Sequence, residues 1–249
     1  MWREWADEVE TWFQFLKDRE GWDRYLPRLR DDARTRDETL SEIAVTYFLK
    51  TRCGLQVLEW EPLGRKPKRG EFLVGHDSGP NIFIEVKSPG WEAEIIREVA
   101  KDLTRETGVP ELPLRLKRPK YLAGDGGCTD PVTDVRKAVD KAYPKLPDSI
   151  PTMLIVADDL RVALNSWPEV VRIALYCRRA QGYATGYLAE DGCFASQRYE
   201  HLGAVGVFNV QLKGSTFEYR FCVFHNPNCL PAAAIPKTVF ADYQQCDGF

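Results

Sequence analysis

Gly70-Glu71-Phe72-Leu73-Val74-Gly75-His76-Asp77-Ser78-Gly79-Pro80-Asn81-Ile82-Phe83-Ile84-Glu85-Val86-Lys87 is the stretch on which the fold turns. Residues 71–76 and 81–87 have strand composition, and Asp77-Ser78-Gly79-Pro80 between them is turn chemistry, so the stretch reads as a hairpin. Side chains alternate along a strand. Glu85 and Lys87 therefore share one face, and Ile84 and Val86 the other. A three-residue loop at 77–79 pairs position 76 with 80 and, in the same register, Glu71 with Glu85. Directly opposed residues have Cβ atoms roughly 4.5–5.5 Å apart. Two carboxylates so placed repel unless a proton or a cation lies between them. A hard divalent ion with oxygen ligands from both acids and a backbone carbonyl is one solution. An even-numbered loop would instead send the two acids to opposite faces.

Upstream, residues 37–53 read as a helix. Asp37 or Thr39 caps its start, Glu42 lies at N3 relative to a Thr39 cap, Leu40, Ile43, Ala44, Tyr47 and Phe48 form its apolar stripe, and Gly54 ends it. Leu55–Trp60 follows as a short alternating strand. Downstream, Ser88-Pro89-Gly90 breaks the second hairpin strand. Residues 91–107 read as a helix with Trp91, Ile95, Ile96, Val99 and Leu103 inward. Residues 108–130 are rich in Pro and Gly and read as a long loop. Residues 132–143 look helical, and Thr152–Ala157 is an unbroken apolar run of the kind found in a strand covered on both faces. Residues 168–179 read as another helix. Residues 203–212 and 217–224 read as paired strands around Lys213-Gly214-Ser215. The tail from Asn226 onward reads as irregular.

Helix, three-stranded meander, helix, strand is the order of residues 37–157, and it resembles the core of the PD-(D/E)XK, or restriction-endonuclease-like, nuclease superfamily. The acid-x-Lys element of that superfamily matches Glu85-Val86-Lys87. Its preceding acid matches Glu71, and the acid on its first core helix matches Glu42 in Ser41-Glu42-Ile43-Ala44. One departure is visible. The preceding acid is usually Asp after Pro, and here it is Glu after Gly, one methylene longer; Asp77 is a fallback. The resemblance implies an α/β fold with a restriction-endonuclease-like core, a mixed central sheet flanked by helices. It also implies Mg²⁺- or Mn²⁺-dependent hydrolysis of phosphodiester bonds in DNA. Glu71 and Glu85 would bind the metal with the Val86 carbonyl, and Glu42 would bind through water or hold a second ion. Lys87 would orient the attacking water and offset transition-state charge. A non-catalytic member of the same fold that binds nucleic acid or protein is the alternative.

Two basic clusters suit a phosphate track beside such a centre: Arg65, Lys66, Lys68 and Arg69 before Glu71, and Arg115, Lys117, Arg118 and Lys120 on the long loop. Either could also be a solvated loop. Residues 23–37 alternate Arg and Asp and read as a self-compensating solvated connection, with a phosphate-contacting strip as the second choice. Cys222, His225 and Cys229 approach zinc spacing but have no matching pair of ligands. Gly124-Asp125-Gly126-Gly127 lacks the strand before it and the Gly-Lys-Ser/Thr that a P-loop needs. His225-Asn226-Pro227-Asn228 reads as a turn after a strand.

The 249 residues suffice for one domain: an N-terminal helical extension over 1–36, the nuclease-like core over 37–157 and a C-terminal α/β elaboration over 158–249. With 34 basic and 37 acidic residues, nucleic-acid contact must come from local patches rather than from net charge. No apolar run reaches the roughly 18 residues of a membrane span. The N-terminus is charged from its third residue, and seven scattered cysteines do not make a disulfide framework. A cytoplasmic protein is the expectation. Residues 2–20 carry Trp2, Trp5, Val9, Trp12, Phe13 and Leu16 at helical spacing. That stripe packs on the domain body or forms a homodimer surface.

Overall fold

The computed structural model describes residues 2–17, 22–65, 67–75, 79–88, 131–157, 167–176, 192–195, 197–213 and 216–247. Their seven strands form one mixed sheet in sequence order. β1 (Gln56–Trp60), β2 (Phe72–Gly75) and β3 (Ile82–Lys87) form an antiparallel meander. β4 (Thr152–Ala157) runs parallel to β3, and β5 (Ala204–Lys213) parallel to β4. β6 (Thr216–His225) returns antiparallel to β5, and β7 (Gln244–Cys246) lies parallel to β6. The sheet therefore continues past residue 157 without interruption. No helix among the described residues is long and apolar enough to cross a membrane.

Five helices among the described residues cover the sheet, and period-two alternation decides which residues they meet. Ile82, Ile84 and Val86 of β3, with Met153 and Ile155 of β4, face α1 (Trp2–Lys17), α2 (Trp22–Leu29) and α3 (Ala33–Cys53). Phe83 of β3, with Leu154 and Val156 of β4, faces α4 (Pro131–Ala142) and α5 (Trp167–Tyr176). β4 is buried at all six positions, as its unbroken apolar sequence requires of a central strand. Phe48 of α3 sits at the centre of an aromatic cluster, 5.1 Å from Phe208, 5.2 Å from Phe221 and 5.4 Å from Tyr243 between ring centroids.

The tryptophan stripe of α1 is spent within the chain over its described part. Trp12 and Leu16 are fully buried, and the Trp12 indole N–H donates to the Tyr219 hydroxyl at 2.7 Å. Tyr219 in turn donates to Glu8, so one polar triad pins α1 to β6. The side chains of Trp2 and Trp5 lie outside the described residues.

Four expectations need correction. First, residues 22–29 are a helix, not a solvated connection. Tyr25 is fully buried, and Arg24 and Arg28 pair with acids from other elements rather than with the neighbouring aspartates. Second, α3 begins at Ala33. Asp32 caps it, accepting the Thr35 amide at 2.9 Å, while Thr39 is a helix-interior residue whose hydroxyl donates to the Thr35 carbonyl at 2.6 Å. Glu42 is thus carried in the middle of the helix. Gly54 does end it, at φ 69°. Third, β1 does not alternate strictly. The register skips Leu58 between Val57↔Val74 and Glu59↔Leu73, and this bulge lets Val57 and Trp60 pack against the same cluster. Fourth, the tail after Asn226 buries Ala233, Ile235 and Phe240 and supplies β7. The expected helix over 91–107 and loop over 108–130 lie outside the described residues.

Candidate active site

The hairpin register is the one that sets Glu71 opposite Glu85. Phe72 pairs with Ile84, Leu73 with Phe83 and Val74 with Ile82. Glu71 stands one residue before β2, where its amide donates to the Ile84 carbonyl at 3.1 Å. Gly70 precedes it because the Phe83 ring fills the space a side chain would take. A Cβ there would lie 2.3 Å from that ring. α3 brings the third acid. The Ser41 hydroxyl lies 3.2 Å from that of Ser88, which places Glu42 beside the C-terminal end of β3, where Lys87 stands.

All three acids are buried: Glu85 is 0% exposed, Glu42 5% and Glu71 7%. They are threaded on a continuous chain of seven charges of alternating sign. Arg28 grips Glu42 with both guanidinium nitrogens at 2.6 and 2.7 Å. Arg24 also approaches Glu42, 3.9 Å from the oxygen that Arg28 holds at 2.6 Å. Arg24 then pairs with Glu71 and also donates to the Glu71 carbonyl at 3.2 Å. Lys145 stands 4.0 Å from Glu71 and 2.5 Å from Glu85. Lys87 closes the chain on the same Glu85 oxygen. The half-exposed Glu61 adds a 3.5 Å contact to Arg24 from the side.

Charge and burial compete along this chain. Burial pushes the Glu42 carboxyl up to about 7; Arg28 opposes the shift and the charge of Glu71 adds to it. Burial likewise pushes Glu85 up, against the pull of Lys87 and Lys145. Burial alone would lower the Lys87 ammonium, but the carboxylate of Glu85, helped by Glu71 and Glu42, outweighs it and raises its pKa, so Lys87 is held protonated.

The second oxygen of Glu85 is buried and has no hydrogen-bond partner among the described residues. An orphaned buried carboxylate oxygen beside a second carboxylate is a donor set that suits a hard cation. Mg²⁺ commonly takes only one or two protein carboxylates and completes its shell with water and substrate oxygens. No three of His, Cys, Asp and Glu among the described residues are gathered to ligate one ion by themselves, and that holds for Cys222, His225 and Cys229 too. Val86, between Glu85 and Lys87 of β3, is paired with Ile155 of β4.

The basic clusters divide. Arg65 lies against the Tyr143 ring at 5.0 Å, and its amide donates to the Lys145 carbonyl at 3.0 Å. Arg69 donates to the Glu61 carbonyl at 2.8 Å, and its side of the loop is exposed, as is Lys68. Lys66 and the entire second cluster, Arg115, Lys117, Arg118 and Lys120, lie outside the described residues.

Arg24, Arg28 and Lys145 are the charged residues that sequence reasoning missed. Arg24 and Arg28 are four apart, a spacing that puts both on one helix face, but Pro27 and the surrounding aspartates hide the helix. Lys145 follows α4 in a 3₁₀ turn and has no motif to mark it. Comparison with protein-family models, with curated proteins and with solved structures found no match.

Proposed function

We propose that this chain is a nuclease that hydrolyses DNA phosphodiester bonds with Mg²⁺ or Mn²⁺. The run α3, β1, β2, β3, α4, β4 is read as a restriction-endonuclease-like core. The observation that carries the proposal is the convergence of Glu42, Glu71, Glu85 and Lys87, from a helix and a hairpin, on one buried cluster containing an unsatisfied carboxylate oxygen.

Glu71 and Glu85 would hold the metal, with the Val86 carbonyl and with Glu42 behind them. When bound, such a metal acidifies a coordinated water and stabilises charge developing on the phosphate. Lys87 contributes an ammonium held protonated and aimed by Glu85, a fixed positive charge where the transferred phosphate gathers negative charge. Arg24 and Arg28 orient Glu71 and Glu42, and Arg28 opposes the push of burial on the Glu42 carboxyl.

One observation favours a second reading, a nuclease-like fold that binds nucleic acid without cutting it. Each buried carboxylate already has a cation of the chain within 4.0 Å. Calorimetric titration with Mg²⁺ and Mn²⁺ separates the two readings. The nuclease reading expects saturable binding that is lost in Glu85→Gln and Glu71→Gln. Absence of heat in the wild type, with salt-dependent DNA binding retained, would establish the second reading instead.

A further inference from the structure

We propose, on the basis of the nucleic-acid reading above, that Lys145 is a further phosphate-binding residue. It stands at the junction where the basic loop of residues 62–70 meets the carboxylate centre. Three independent features of the fold converge on it.

The first is charge. Each buried carboxylate has a cation of its own: Arg28 for Glu42, Arg24 for Glu71 and Lys87 for Glu85. Lys145 is the fourth, shared between Glu71 and Glu85 at 4.0 and 2.5 Å. The buried acids do not require it for neutrality. Its ammonium is a second positive charge on the Glu85 oxygen that Lys87 already holds, a point charge at the edge of the site beside which an anionic phosphate can lie.

The second is backbone placement. The turn that carries Lys145 is locked to the basic loop. The Arg65 amide donates to the Lys145 carbonyl at 3.0 Å, and Gly64 lies so close that a Cβ on it would come within 1.8 Å of the same carbonyl oxygen. The loop is itself closed by the Leu63↔Arg69 bridge, by Gly64 donating to the Lys68 carbonyl at 2.8 Å and by Gly70 donating to the Pro62 carbonyl at 3.1 Å. Such a welded pair of segments fixes the spacing between Lys68, Arg69, Arg65 and Lys145, which is what a backbone track with regular phosphate spacing needs.

The third is access. The Lys145 side chain retains 24% exposure although its amine reaches a fully buried carboxylate. Lys145 therefore stands where the buried centre meets solvent. Lys68 and Arg69 are exposed on the same loop, and Arg65 lies 5.0 Å from the Tyr143 ring beside them. The basic lip and the carboxylate centre are therefore contiguous through Lys145.

The test is binding of a fluorescein-labelled 20-base-pair duplex, read by anisotropy with Ca²⁺ in place of Mg²⁺, between 50 and 200 mM KCl. Each phosphate contact contributes about 0.9 to the slope of log affinity against log salt. Lys145→Gln and Lys145→Met are each expected to lower the slope by about one, and Lys145→Arg to retain it. A residue that merely braces the fold would change the melting temperature and leave the slope alone. Slopes equal to wild type in both charge-free variants would overturn the proposal, as would a wild type that shows no salt-dependent binding. Cleavage is not read, so a slope that falls in a protein that never cuts DNA sinks the nuclease reading and leaves this one standing.

Discussion

Replacing Arg28 by methionine keeps most of the stem and removes the fork that holds Glu42, so it isolates the strongest link in the charge chain. Two charge-assisted hydrogen bonds, at 2.6 and 2.7 Å, end on a carboxylate that is 5% exposed. Bonds to charged groups contribute about 1.5–3 kcal/mol each, and breaking a buried pair costs about 3–5 kcal/mol when the survivor stays charged. Glu42 has an escape, because it can take up a proton. Its folded pKa is about 7, above its ordinary 4.5, so the folded wild type already holds that proton in mildly acidic solution. There the charge part of the pair is absent in wild type and variant alike. Above about pH 7 wild-type Glu42 ionises and Arg28 begins to count. In Arg28→Met the folded pKa rises further, since Arg28 is one of the groups holding it down. Each unit of that rise is 1.36 kcal/mol. The variant should therefore lose about 3 kcal/mol at pH 8.5 and about 1 kcal/mol at pH 5.5. A double-mutant cycle with Glu42→Gln, followed by urea denaturation at both pH values, cancels the titration of other groups. A coupling of about 2 kcal/mol at pH 8.5 that shrinks in acid is expected. A coupling below about 0.5 kcal/mol, or one equal at the two pH values, would refute this account of the pair.

Other consequences concern the frame around the site. Trp12→Phe removes the indole N–H that reaches Tyr219 and leaves a cavity in place of the second ring, and should cost about 2–4 kcal/mol in urea denaturation; an unchanged midpoint would show that α1 is not pinned there. Gly64→Ala drives a methyl against the Lys145 carbonyl, backbone against backbone. A loss of about 2–3 kcal/mol in thermal unfolding is expected, and a loss under about 0.5 kcal/mol would show that the two segments are not welded. The Cys222 thiol, 5% exposed and pushed up to about 12 by burial, should stay unalkylated by iodoacetamide at pH 8 in the folded protein and react on unfolding, as mapped by mass spectrometry.

The parts of the fold that were legible in the sequence are those governed by local pattern. Asp77-Ser78-Gly79-Pro80 marks the hairpin, and the register it implies is the one that β2 and β3 adopt. The five apolar residues that follow Thr152 in β4 identify a strand with helices on both sides. What stayed hidden depends on partners distant in sequence. The Arg and Asp residues of 23–37 look mutually neutralising until Glu71, 47 residues beyond Arg24, and Glu42, 14 beyond Arg28, take the arginines away. The start of α3 was misplaced because two plausible caps, Asp37 and Thr39, lie inside it, and Asp32 with Thr35 acts first. The bulge at Leu58 has no signature, since Val57 and Trp60 satisfy a strand pattern on either face. Lys145 enters the site only because α4 crosses to β4 and the turn before that strand docks on Gly64 and Arg65.

The most direct measurement of the central claim is cleavage of supercoiled, linear and single-stranded DNA with Mg²⁺ or Mn²⁺, using wild type beside Lys87→Ala and Glu85→Ala with their folds checked by circular dichroism. The account predicts cutting by the wild type that disappears in both variants while their spectra are kept. Equal cutting by all three proteins, or none by the wild type on any substrate with either metal, would contradict it.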